Sequence, residues 1–102
     1  MVRLLSVIQS EKPEKKFKAT FGEKTAKGES KEKAVHFGQR GADDYTKTKD
    51  KEQRERYRLR HANEKKFYGD PMRPATLSRF ILWGDSTNLK DNIRSYKQKF
   101  NI

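Results

Sequence analysis

The chain has 102 residues, no cysteine, and 25 lysines and arginines against 14 aspartates and glutamates, a formal charge of +11. That composition excludes a disulfide framework, a thiolate zinc centre and a cysteine nucleophile. Hydrophobic residues are only 31%, so the length fits one domain with a thin core, and no run approaches the ~18 apolar residues of a membrane span.

In chain order, residues 2–8 are leucine-rich and β-branched and predict a strand, although their alternation is imperfect. The same segment is too short for the apolar region of a secretory leader, so no signal peptide is expected. Pro13 marks a turn at 10–14, because it fixes φ and cannot join a ladder. In 16–21, Phe17, Ala19 and Phe21 alternate with Lys16, Lys18 and Thr20, the period of a half-buried strand. Residues 22–33 are rich in Gly, Lys, Glu and Ser without apolar periodicity and predict a flexible loop. Residues 34–37 form a third short strand closed by Gly38, and three such strands suggest an antiparallel meander.

Residues 39–48 predict an ordered connection. Asp50 is placed to cap a helix over 51–66, with Gln53 in the capping-box position. The arginines at 54, 56, 58 and 60 also follow a strand period, but the cap and the Glu, Arg, Lys and Gln content favour helix. Gly69 and Pro71 break it. Pro74 suits a first helical turn, and Leu77, Phe80, Ile81, Leu82 and Trp83 follow as the most apolar patch, with Gly84 as a stop signal. Leu89, Ile93, Tyr96 and Phe100 fall at i, i+4, i+7 and i+11, one face of a final helix. The predicted fold class is α+β, a small antiparallel three-stranded meander packed by two or three C-terminal helices. Residues 1–102 form a single domain, a meander at 1–38 followed by a basic helical part at 39–102.

Charge is the main functional signal. A small protein at +11 attracts polyanions and releases counterions when it meets phosphate. The candidate nucleic-acid contacts are Lys47, Lys49, Lys51, Arg54, Arg58, Arg60, Lys65 and Lys66. At about 100° per residue, Arg54 and Arg58 stack on one side of the helix and Arg56 and Arg60 on nearly the opposite side. One phosphate-facing edge can use one pair, and Arg54 with Arg58 is the expected one. The competing reading is a solvated helix laced by pairs such as Glu52 with Arg56. Tyr45, Tyr57, Phe67 and Tyr68 interleave with the basic run, either to stack on bases or to anchor the helix to the core.

Phe80, Leu82 and Trp83 are candidate protein-interaction residues, because consecutive apolar side chains cannot all face one way on an α-helix. The alternative is that they are core. His36, His61, Asp43 and Asp44 lack a metal-ligand or acid–base spacing and read as structural. Asp50 with Glu64 and Lys66 loosely fits a nuclease pattern, but Glu14 and Lys16 repeat the same form by chance. No catalytic residue, metal or cofactor is assigned, and the protein is expected not to be an enzyme.

One further signal lies in a set of short motifs. His36-Phe37-Gly38, Gly41, Asp44-Tyr45-Thr46, Lys49-Asp50, Arg56-Tyr57, Arg60-His61, Asp70-Pro71 and residues 77–83 together resemble a family of small basic proteins of large nucleocytoplasmic DNA viruses of algae and amoebae. The similarity extends to residues 15–21 and to Leu89 and Ile93. Thr48 stands where relatives have histidine, which weakens any histidine-based chemistry, and the loop before Ala34 is longer here. The resemblance implies a viral protein made in an infected host cell, with packaging in the virion as one version of its role. The resulting expectation is a non-enzymatic protein that binds nucleic acid, DNA ahead of RNA, by charge and with little sequence specificity. The alternative is a minor virion or capsid structural protein that bridges other virion proteins.

Overall fold

The alternation of Phe17, Ala19 and Phe21 sets the buried face of a three-stranded antiparallel sheet in the computed structural model of the protein, which describes residues 2–24 and 26–102. The strands are β1 (Val2–Gln9), β2 (Lys15–Lys24) and β3 (Ser30–Gln39), ordered β1-β2-β3. Ala19 pairs with Val7 on one side and Val35 on the other, Phe17 with Phe37, and Phe21 with Leu4. The imperfect alternation of β1 has a cause. A bulge between Leu4 and Ser6 inserts Leu5 without a partner, so Leu4 and Val7, three residues apart, both join the core side of the sheet. Ile8, Lys18 and His36 line up across the opposite face, where Ile8 is 51% exposed.

The expected flexible loop at 22–33 is corrected. Gly22, Glu23 and Lys24 pair with Glu32, Lys31 and Ser30, so most of that segment is hairpin, while Thr25 lies outside the described residues. Ladder bonds are made by backbone groups and need no apolar side chains, which is why a polar composition concealed the strands. The base of the sheet is held by Arg40, whose guanidinium donates to the carbonyls of Ser10 at 2.6 Å, Lys15 at 3.0 Å and Lys12 at 3.2 Å.

The connection at 39–48 contains a short helix, α1 (Tyr45–Thr48), started by Asp44, whose carboxylate accepts from the backbone of Thr46 and Lys47. Lys16 Nζ reaches the same carboxylate at 2.5 Å and ties β2 to α1. Next comes α2 (Lys51–Arg60), capped by Asp50 as expected. It ends six residues earlier than composition predicts, and Ala62–Phe67 forms a 3-10 helix. Tertiary bonds there override the good helical propensity of Glu and Lys, which is only a local preference. Tyr68 Oη donates to the His61 carbonyl, and Thr76 Oγ1 donates to that of Phe67 at 2.8 Å. Helix α3 (Pro74–Leu77) runs straight into a π-turn over Ser78–Leu82, closed by Trp83 N–H to Ser78 O at 3.0 Å. The last helix, α4 (Leu89–Phe100), spans the predicted residues and is capped by Asn88.

The core joins Leu4, Ala19, Phe21, Val35 and Phe37 of the sheet to Leu77, Ile81, Leu82, Trp83 and Tyr96 of the helices. The α+β expectation thus holds: a meander packed by C-terminal helices. One polar residue sits inside it. Asn92, 2% exposed, accepts from Ser86 N at 3.0 Å and donates to Ile81 O at 2.9 Å and Ser86 O at 2.8 Å. It thereby closes the segment between the π-turn and α4. Gly84 serves the same closure. A Cβ there would collide with the Phe80 carbonyl oxygen and lie 2.9 Å from Asn92. The glycine is thus needed for close approach of the backbone and not for a left-handed cap.

Candidate nucleic-acid interface

Helix α2 places the arginines. Asp50 Oδ1 accepts from the N–H groups of Glu52 at 3.0 Å and Gln53 at 3.1 Å. The Gln53 side chain does not return to Asp50 as a capping box would require, and instead accepts from Thr48 Oγ1 at 2.8 Å. From this start α2 presents Arg54 and Arg58 inward, against the segment that follows the π-turn. Arg54, 7% exposed, donates to Gly84 O at 3.3 Å and Asp85 O at 3.5 Å, pairs with Glu55 at 2.9 Å, and lies over the Tyr45 ring. Arg58 Nη2 donates to Trp83 O and Asp85 Oδ1, each at 3.0 Å.

The expected phosphate-facing pair is therefore corrected. Arg54 and Arg58 are held by carbonyls and carboxylates inside the fold, because three backbone oxygens left by the π-turn and its exit need donors. Arg56 and Arg60, on the other side of α2, are exposed. Among the described residues Lys49, Lys51, Arg56, Arg60, Lys65 and Lys66 are exposed and make no ion pair with a carboxylate. Lys47 is exposed and lies 3.8 Å from Asp43. Of the eight predicted contacts, Lys47, Lys49, Lys51, Arg60, Lys65 and Lys66 thus stay on the surface, and sequence reasoning missed Arg56. Burial of the Arg54–Arg58 side of α2 was not encoded locally, since its partners lie 25 to 31 residues away.

The proposed interaction patch is corrected as well. Leu82 is 2% and Trp83 6% exposed, and only Phe80 is half-buried. The π-turn widens the helix and Trp83 leaves it at φ −118°, so Ile81, Leu82 and Trp83 all turn inward, which an ideal α-helix would forbid. These side chains are therefore core residues of this chain. Phe80 is itself covered, by the Arg79 guanidinium at 4.7 Å, Lys99 Nζ at 4.9 Å and the edge of Tyr68. Burial, and then the neighbouring charge of Arg58, pull the Arg79 guanidinium below its usual range.

The interleaved aromatics are also placed. Tyr45 and Tyr57 are buried, and the Phe67 ring carries Lys66 and Arg73 above it. Tyr57 stacks on Trp83 at 4.4 Å and 8°, and on His61 at 4.2 Å and 27°. Burial pushes its hydroxyl far above the ordinary phenol range. These rings border a groove of about 550 Å³ whose polar lining includes Lys15, Gln39, Gln53, Arg60 and His61. His61 Nδ1 lies 3.0 Å from Glu64. His36 shares a 2.7 Å hydrogen bond with Ser10, and Asp44 is committed to α1 and Lys16. Among the described residues no three His, Asp or Glu side chains gather as a metal-ligand set.

A family model described as "Family of unknown function (DUF5754)" matches residues 5–61, more than half of the chain. The chain belongs to this family. The matched segment takes in most of the sheet, α1 and α2, and stops at His61. No curated protein and no solved structure matches.

The arginine cluster predicts a pH response. The Arg58 hydrogen bond holds the Asp85 carboxyl below its ordinary 3.8, and the Arg54 hydrogen bond holds Glu55 below 4.5. Carboxyls depressed by folding stabilise the protein while ionised, so their contribution is present above about pH 5 and is lost as pH falls through the depressed values. The melting temperature should be flat from neutral pH to about 5 and fall below about 4, and Asp85→Asn should make that fall shallower. The change is expected to be small, because the Asp85 side chain is exposed and screened. An identical acid limb in parent and variant would disprove the linkage.

Proposed function

We propose that this protein binds nucleic acid by charge, with little sequence preference and no catalytic step. One observation carries the reading. Lys49, Lys51, Arg56, Arg60, Lys65 and Lys66 lie on α2 and the turns at its two ends, exposed and without carboxylate partners among the described residues. Cations that the fold has not neutralised are the ones able to displace counterions from phosphate. The net charge of +11 adds long-range attraction. Base-specific reading through a groove is not needed for this. The resemblance to viral proteins supports a setting, an infected cell or a virion, where a polyanion is abundant.

The test is a salt titration. Replacing Arg56 and Arg60 together with glutamine should leave the melting temperature unchanged, since both are exposed and glutamine keeps helix propensity. Each lost phosphate contact should reduce the slope of log affinity against log salt by ~0.7–0.9, so the double variant should lose roughly 1.4–1.8. The loss should be similar on all sequences. An unchanged slope would remove α2 from the interface, and a parent without salt-sensitive binding at low ionic strength would refute the reading.

A further inference from the structure

The groove beside α2 is built around a ring stack with one open end. Trp83 and His61 both lie nearly parallel to Tyr57, at 4.4 and 4.2 Å. Two rings cannot share one face of a phenol at those distances, so the order is Trp83, Tyr57, His61. Trp83 is the buried end, at 6% exposure. His61 is the outer end, with 36% of its side chain exposed. The imidazole is fixed against tumbling from both directions, by Tyr57 beneath it and by Glu64 at Nδ1. A flat, immobilised, half-exposed ring at the wall of a groove is a surface on which another flat ring can stack without an ordering cost to the protein.

Two acids line this groove, Asp43 and Glu64. Each already has a partner, Lys47 at 3.8 Å and His61 at 3.0 Å. Two cations line it as well, Lys15 and Arg60. Neither makes an ion pair with a carboxylate among the described residues. With Lys47 held on Asp43, three cations, Lys15, Lys47 and Arg60, stand against two carboxylates around the groove. Gln39, Gln53 and Ser78 supply amide and hydroxyl groups to the same walls. A volume of about 550 Å³ is ample for one nucleotide.

We infer that this groove takes an unpaired nucleobase of a single strand, stacked on the outer face of His61, with the adjoining phosphates on Arg60 and Lys15. The inference rests on the charge-driven reading above and deepens it: the preferred ligand is single-stranded nucleic acid, because a base held inside a duplex stack has no free face to offer. Stacking of this kind tolerates every base, so it agrees with low sequence preference.

The experiment compares two probes of equal charge, a labelled thymidine strand of roughly ten nucleotides and the same strand carrying abasic residues. Both present phosphates, and only the first presents bases. The parent should bind the base-bearing strand about 5- to 150-fold more tightly. His61→Ala should lose that difference while keeping its affinity for the abasic strand, and His61→Phe, which restores a flat ring, should retain it. The parent comparison stands without any variant, so a poorly folding His61→Ala does not blunt the test. Equal binding of both probes by the parent, or a His61→Ala loss that is the same on both, overturns the inference and leaves the charge reading intact. Failure of both probes to bind at low salt overturns the charge reading and the inference with it.

Discussion

Asn92→Asp is expected to lower the melting temperature by roughly 10–50 °C. The substitution keeps the volume and keeps an oxygen facing Ser86 N–H. It removes the amide that donates to the carbonyls of Ile81 and Ser86 and sets a carboxylate oxygen against them. A buried acceptor left without its donor costs about 1–3 kcal/mol, and more where charge is involved. Two such carbonyls give about 2–6 kcal/mol, a large share of the ~5–15 kcal/mol that holds an ordinary domain. At about 4–8 °C per kcal/mol for a domain of this size, the loss is readily measured by thermal circular dichroism. Asn88→Ala, which removes only the α4 cap, should cost about 1 kcal/mol. If the two variants melt alike, Asn92 does not hold the π-turn exit to α4.

Arg54→Gln is the second large effect, about 2–4 kcal/mol. The guanidinium donates to two backbone carbonyls and to Glu55, and it covers the Tyr45 ring. Hydrogen bonds from a charged donor contribute ~1.5–3 kcal/mol and the ring contact ~0.5–1 kcal/mol. Glutamine is too short to reach Gly84 O and Asp85 O from α2. Arg54→Lys should rescue little, since an ammonium cannot divide itself among carbonyls, carboxylate and ring as a planar fork does. The salt slope of nucleic-acid binding should be the same for folded Arg54→Gln and parent. A stable Arg54→Gln with a flattened slope would return this residue to the interface and disprove its structural role.

These two residues also mark where sequence reading stopped. Phe17, Ala19 and Phe21 announced β2 because their period is local, and Leu89, Ile93, Tyr96 and Phe100 announced α4 for the same reason. Asp50 and Pro74 gave helix starts correctly, since a cap is a contact between near neighbours. Arg54 and Arg58 carry the same residue type as Arg56 and Arg60, and only the distant segment at 83–85 decides which pair is buried. Asn92 looks like a surface amide until the π-turn supplies its partners. That π-turn has no short-range signal, so four apolar residues in a row suggested an outward-facing surface. The charge of the candidate site was legible from composition, and its ring stack was not. Tyr57, His61 and Trp83 meet through the packing of α2 on the exit from α3, and nothing within a few residues of His61 marks its imidazole as a flat surface.

The far half of the β2–β3 hairpin has a consequence for local breathing. From Lys24, and from Ser30 to Ala34, every side chain on the hairpin is exposed, so separating those strands uncovers no oil. The ladder bonds between Gly22–Lys24 and Ser30–Glu32 hold that stretch, each contributing a net ~0.5–1.5 kcal/mol. Unzipping can start at the tip and run inward, and it meets its first real obstacle where Phe21 and Val35 enter the core. The protein thus divides its cooperativity. A few residues of hairpin can fray and re-zip many times while the sheet's lower half, the π-turn and α4 remain one melting unit.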